Sequence, residues 1–131
     1  MVQCDLKSGY WLAPGEMLVS PKGAIRLRFQ LSDGNLILEC LDDGQLPEEV
    51  FRPYWDNGIR VSPEHVLGAN AKMHSNGNFV VSFLDPAAGG WATGTSGNPG
   101  AFLRCQDDGN LVVYSRERKP LWSSNTHLGP R

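Results

Sequence analysis

One short pattern occurs three times along the chain, and that repetition limits the possible folds more than any other feature. The copies are Leu31-Ser32-Asp33-Gly34-Asn35-Leu36-Ile37-Leu38, His74-Ser75-Asn76-Gly77-Asn78-Phe79-Val80-Val81 and Gln106-Asp107-Asp108-Gly109-Asn110-Leu111-Val112-Val113. Each passes from Asp or Asn through Gly to Asn and then into apolar residues. A tryptophan follows each copy, in Tyr54-Trp55, Gly90-Trp91 and Leu121-Trp122, which accounts for three of the four tryptophans. A unit of about 30 to 40 residues cannot bury its apolar face alone, so repeated copies must share a core.

Asp-Gly or Asn-Gly between apolar stretches is a strong hairpin signal, because the turn needs the positive φ that Gly and Asn tolerate. In the third copy, residues 102–106 run in and residues 110–114 run out, with Asp107, Asp108 and Gly109 at the bend. Side chains alternate along a strand, which places Asn110, Val112 and Tyr114 on one face and Leu111 and Val113 on the other. The second face reads as core. The spacing from the acidic or amide residue to its tryptophan is longest in the first copy (33 to 55, against 76 to 91 and 108 to 122), so that copy carries an insertion. Residues 42–49, acidic and turn-rich, are the extra material and read as a solvated loop. Upstream, Val19-Ser20-Pro21 and Val61-Ser62-Pro63 echo one another, so the repeats extend beyond the central motif.

These features predict one all-β domain over residues 1–131, with repeats at about 9–57, 58–95 and 96–128, built as three small sheets around a pseudo-threefold axis. The tryptophans are expected near that axis or at its seams. The β-trefoil, another threefold fold, normally carries Gln two residues before its tryptophan. Here those places hold Pro53, Gly89 and Pro120.

Composition narrows the function. Twelve basic against fourteen acidic residues give a net charge of −2, without the basic surplus that phosphate-backbone binding requires, so no nucleic-acid partner is expected. The longest uncharged apolar run, residues 79–84, is broken by Ser82 and falls far short of the roughly 18 residues of a membrane span, so no membrane insertion is expected. The start, Met1-Val2-Gln3-Cys4-Asp5-Leu6-Lys7, places an acid where a secretory signal has a basic end and then an apolar stretch. A cytoplasmic or non-classically released product is the expectation. Cys4, Cys40 and Cys105 lack zinc-type spacing and cannot all pair within one molecule; they read as small buried hydrophobes, with no metal. The three histidines are scattered, and no Ser-His-Asp order, catalytic carboxylate pair or phosphate loop is evident, so no enzyme and no cofactor are expected.

In the third copy, Gln106, Asp108, Asn110, Val112 and Tyr114 stand as Gln-x-Asp-x-Asn-x-Val-x-Tyr. This pattern, together with the tail Pro120-Leu121-Trp122-Ser123-Ser124-Asn125-Thr126, resembles the bulb-type mannose-binding lectins related to the snowdrop lectin, over roughly residues 9–128. The resemblance implies a β-prism of the second type: three four-stranded antiparallel sheets, each with a shallow sugar site, and no metal or catalytic chemistry. It also implies roles. Asp108 and Asn110 hold the axial O2 that distinguishes mannose from glucose, Gln106 reaches O3, the Tyr114 hydroxyl reaches O4, and Val112 packs on the ring. The chemistry is consistent, since a sugar hydroxyl both donates and accepts and needs a carboxylate, amides and an apolar patch. Many members have a cysteine between the Asp and Asn, where Gly34, Gly77 and Gly109 stand here, so the family's disulfide is absent and a Cys4–Cys40 bridge has no support.

The other two copies depart from the pattern. The first keeps Asp33, Asn35 and Ile37 but has Leu31 in the glutamine place and Glu39 in the tyrosine place. The second has His74, Asn76, Asn78, Val80 and Ser82, without carboxylate or phenol. Both are expected to be degenerate. The turn survives in all three copies while Gln and Tyr occur together in one, and turn geometry requires neither. The expected partner is therefore mannose or a mannose-containing glycan bound at the third copy, in defence, with residues 122–126 as a strand for exchange in a homodimer. Two other readings fit the sequence: an antibacterial lectin for rhamnose- or mannose-containing surface polysaccharide, and a protein-binding prism with vestigial sugar sites that uses Glu48 and Glu49.

Overall fold

The computed structural model describes residues 3–41 and 50–127. The loop expected over 42–49, with Glu48 and Glu49, lies outside the described residues. Twelve strands follow in order: β1 (Asp5–Leu6), β2 (Trp11–Leu12), β3 (Met17–Val19), β4 (Ile25–Phe29), β5 (Leu36–Leu41), β6 (Phe51–Asp56), β7 (Asn70–Met73), β8 (Phe79–Ser82), β9 (Gly90–Ala92), β10 (Phe102–Cys105), β11 (Leu111–Tyr114) and β12 (Pro120–Ser123). Among the described residues the helical turns are two short 3-10 segments, Pro63–His65 and Pro86–Ala88.

The strands form three four-stranded antiparallel sheets, ordered β3-β4-β5-β6, β2-β7-β8-β9 and β1-β10-β11-β12. This is the β-prism of the second type. Three strands of each sheet come from one copy of the repeat. The fourth comes from the amino-terminal run, which deals β1 to the third sheet, β2 to the second and β3 to the first. Edge residues therefore occupy equivalent places: Asp5 opposite Arg104, Trp11 opposite Lys72 and Met17 opposite Arg28.

Alternation divides each sheet into an inner and an outer face. Leu27, Phe29, Leu36 and Leu38 of the first sheet, Ala71, Met73, Phe79 and Val81 of the second, and Leu103, Cys105, Leu111 and Val113 of the third point inward and are fully buried in one cluster. At about 25 cal/mol per Å² of apolar surface, this shared burial is the main stabilising term that no single sheet could supply. Trp55, Trp91 and Trp122 meet edge to face, with ring centroids 6.3, 6.2 and 5.6 Å apart, and close the axis. Such geometry suits the ring quadrupoles and adds about 0.5–1.5 kcal/mol per pair beyond burial.

The turn of each repeat follows one design. The Asp33, Asn76 and Asp108 side chains accept the backbone N–H two residues on, from Asn35, Asn78 and Asn110, at 3.0, 3.0 and 2.9 Å. The intervening glycines all have positive φ. At Gly77 (φ +97°) a Cβ would also collide with the Asn98 carbonyl, so backbone conformation and close approach both demand glycine there.

Candidate functional site

The outer face of the third sheet gathers the five residues of the third copy. β10 carries the chain into the turn, and the Gln106 N–H to Asn110 carbonyl bond closes it. Outward alternation along β11 then presents Val112 and Tyr114 beside Gln106. The Tyr114 hydroxyl donates to Gln106 Oε1 at 2.5 Å, and Gln106 Nε2 donates to both oxygens of Asp108 at 3.1 Å. Three of the five side chains thus form one directional network. Partial burial raises the pKa of the Asp108 carboxyl, but the Asn110 N–H, the Gln106 amide and His127 outweigh it and hold it below the ordinary carboxylate value.

Asn110 is fixed from behind. Its Oδ1 accepts from Ser124 Oγ at 3.1 Å and from the Thr126 N–H at 3.2 Å, which commits the carbonyl to the segment after β12 and leaves the Nδ2 protons facing outward. Val112 also faces outward, yet it is only 3% exposed, with Arg104 and Ser123 as its register partners.

Two further features of this face escaped the sequence reading. His127 Nδ1 lies 2.9 Å from Asp108 Oδ2, across 19 residues of sequence. Arg104 is held by both carboxylate oxygens of Asp5, at 2.8 and 2.9 Å, and its guanidinium lies 5.2 Å from the Phe102 ring centroid. The Arg104 hydrogen bonds keep the Asp5 carboxyl below its usual value. A single-sequence pattern has no signal for either contact: His127 reaches Asp108 from the segment beyond β12, and Asp5 reaches Arg104 only when the amino-terminal strand docks on the third sheet.

The first sheet corrects one expectation. Leu31 does not occupy the glutamine place; Gln30 does. Its N–H bonds the Asn35 carbonyl, as Gln106 bonds that of Asn110, and its Nε2 reaches Asp33 Oδ1 at 3.3 Å. The turn here is one residue longer, so counting back from the aspartate lands on exposed Leu31, whereas counting from the end of β4 finds Gln30. Asp33, Asn35 and Ile37 hold the expected places. Glu39, in the tyrosine place, is 5% exposed and accepts from Arg26 at 2.7 Å and from Arg28 at 2.8 and 3.1 Å. Burial raises its pKa, and the two guanidinium groups more than reverse that. An ion cluster thus fills the outer face of the first sheet where the third carries a phenol.

The second sheet brings together His74, Asn76, Asn78 and Val80 in the corresponding geometry. Asn78 Oδ1 accepts from the Gly94 and Thr95 N–H groups at 2.9 and 3.1 Å, matching the fixation of Asn110. Ser82 stands in the tyrosine place and donates to Asn70 Oδ1 at 3.2 Å. Lys72 Nζ lies 5.7 Å from the ring centroid of Trp11. Among the described residues, no group of three or more His, Cys, Asp or Glu is arranged to hold a metal ion, and no helix is long and apolar enough to cross a membrane.

Neither a family sequence model nor a curated protein sequence matches the chain. Solved structures do. A lectin from Marasmius oreades is 31% identical over 96% of this chain and 93% of its own, with a TM-score of 0.72. Monomeric monocot mannose-binding lectin from Gastrodia elata is 25% identical over 95% of this chain and 99% of its own, also with a TM-score of 0.72. The mannose-specific agglutinin of snowdrop (Galanthus nivalis) bulbs, complexed with methyl-α-D-mannoside, is 27% identical over 97% of this chain and 100% of its own, with a TM-score of 0.62.

Proposed function

This chain belongs to the bulb-type mannose-binding lectin family, and on that premise we propose that it binds mannose or mannose-containing glycans through Gln106, Asp108, Asn110, Val112 and Tyr114, in recognition of glycans for defence. The observation that carries this reading is the directional network on the third sheet. Asp108 offers ionised acceptor oxygens, and Asn110, its carbonyl already engaged, offers Nδ2 protons. One axial hydroxyl can donate to the first and accept from the second. Tyr114 spends its proton on Gln106, so its phenolic oxygen remains an acceptor for a neighbouring hydroxyl. All these groups are preset by contacts within the protein, which lowers the ordering cost of binding. The reading is one of recognition without reaction.

Net gains of about 0.5–1.5 kcal/mol per hydrogen bond, somewhat more where Asp108 is the acceptor, place a single monosaccharide near the millimolar range after ordering costs. Useful avidity then comes from multivalent glycans or a homodimer, where linkage raises apparent affinity by about 10²- to 10⁴-fold. Strand β12 pairs with β11 of its own chain, so a dimer uses another face or exchanges this strand for its copy.

A chemical-shift titration with methyl mannoside, methyl glucoside and rhamnose tests the proposal. Mannoside is expected to shift the Asn110 side-chain amide and the Tyr114 ring, with the glucoside several-fold weaker. Unchanged mannoside binding in both Asp108→Asn and Tyr114→Phe would overturn the assignment, and a preference for rhamnose would move it to the bacterial-polysaccharide reading.

A further inference from the structure

The three outer faces place a cation at one equivalent position, and among the described residues only one of these cations lacks a carboxylate partner. Arg104 of the third sheet is held by Asp5, and Arg28 of the first by Glu39. Lys72 occupies the corresponding register position on the second sheet, opposite an edge residue that is Trp11 where the third sheet has Asp5. Among the described residues, no carboxylate lies within ion-pair distance of Lys72. The outward residues of that sheet (Trp11, Asn70, Lys72, Val80, Ser82, Gly90 and Ala92) include no acid. Asn76 likewise stands where the other copies have Asp33 and Asp108.

This face has the other parts of a saccharide platform. Trp11 is 56% exposed and presents a broad aromatic surface on which the C–H face of a pyranose can lie. The far edge of the sheet is lined by exposed Gly90 and Ala92, which leave room above half-buried Val80. Ser82 donates to the Asn70 carbonyl, so the Asn70 amide protons remain for a ligand, and His74 stands at the turn. We propose that the outer face of the second sheet is a separate site for an anionic sugar, a pyranose bearing a carboxylate or a sulfate ester, with the anion on Lys72 and the ring on Trp11. Asn76 and Ser82 replace the carboxylate and the phenol of the third copy, and the Lys72 ammonium stands over one side of the exposed Trp11 ring, 5.7 Å from its centroid. A neutral sugar gains little from an ammonium that no carboxylate holds. For an anionic one it is the strongest contact available.

The site is tested on the intact chain by following the Trp11 indole N–H and the Lys72 side chain while titrating methyl glucuronide, glucose 6-sulfate and methyl glucoside. The acidic sugars are expected to shift both signals, with the neutral glycoside about tenfold weaker or worse and the acidic binding weakened by added salt. The glucuronide and sulfate arms identify which anion is preferred. Lys72→Met, which keeps the aliphatic stem, should reduce acidic-sugar binding about tenfold, while Lys72→Arg retains most of it. Equal binding of the neutral glycoside, no response at Trp11, or unchanged binding in Lys72→Met would overturn the proposal. Asp108→Asn should leave this response intact, so failure of the mannose site and failure of this one are read separately.

Discussion

Tyr114 and Gln106, eight residues apart in sequence, meet across the third hairpin in a 2.5 Å hydrogen bond from the phenol to the amide carbonyl. This contact determines which way the glutamine points, and hence which oxygens of Asp108 its Nε2 engages. In Tyr114→Phe the amide loses its anchor and the site loses an acceptor oxygen. Mannoside affinity is expected to fall about 10-fold, corresponding to one or two hydrogen bonds of about 1 kcal/mol each, with little change in the unfolding midpoint because Tyr114 is only half-buried. Isothermal titration beside urea denaturation separates the two effects. A variant that loses stability in step with affinity would point to a structural role alone.

The Asp108 carboxyl sets the acid limit of binding. Its pKa lies below the ordinary value of about 3.9, so the folded state favours the ionised form. A group depressed in this way contributes stability that is present above its unfolded pKa and lost as pH falls through the folded one. Mannoside binding should therefore persist below pH 4 and disappear as Asp108 protonates. Because His127 is one of the groups that lower this pKa, His127→Ala should move the acid limit upward. Carbon-13 titration of the carboxyl, with binding measured at each pH, checks both statements.

On the first sheet, Glu39 is a structural group. It is almost fully buried, while Arg26 and Arg28 retain about a quarter to a third of their side-chain exposure (27% and 32%). Glu39→Gln removes the charge that both guanidinium groups face. Hydrogen bonds to charged groups are worth about 1.5–3 kcal/mol, and the partly exposed arginines can recover some of that in water, so a loss of about 1–3 kcal/mol is expected. Equilibrium urea unfolding measures it. The first sheet should give no mannoside response in either form, because no phenol or free carboxylate stands in the tyrosine place.

The hairpins, the inward face of each sheet and the tryptophan axis were legible in the sequence, because three copies of one turn motif fix register and alternation independently of the rest of the chain. Gln106, Asp108, Asn110, Val112 and Tyr114 stood out instead by their resemblance to the bulb-type lectin pattern, since the turn motif alone requires neither Gln106 nor Tyr114. The edge strands were not legible. Asp5–Leu6 and Trp11–Leu12 are two residues each, too short to show any period, and they pair with strands far along the chain. Gln30 was missed because one extra turn residue shifts the count from Asp33, although the strand end keeps its register. His127 reaches the site face from the segment beyond β12 and Asp5 from the amino-terminal strand, at sequence separations of 19 and 99 residues from their partners.

Cys105 is the cysteine most tightly bound to the core, and its chemistry follows from that position. It lies fully buried at the end of β10, with its Sγ near the Ile25 carbonyl, and burial pushes its pKa up to about 12. At pH 8 about one molecule in ten thousand carries the thiolate, which is the reactive form. Cys4 and Cys40 are only partly buried and free. A disulfide reagent added to the native protein at pH 8 should modify those two while Cys105 waits for unfolding, and the third thiol should react at once in denaturant. The raised pKa has a second consequence. The unfolded thiol ionises above about pH 8.5 while the folded one does not, so the stability that Cys105 contributes is present below that pH and is lost as pH rises toward 12. Cys105→Ala should remove this alkaline loss from the pH–stability curve while lowering stability at pH 7 through the cavity it leaves. Rapid native labelling of all three thiols would contradict the burial on which both expectations rest.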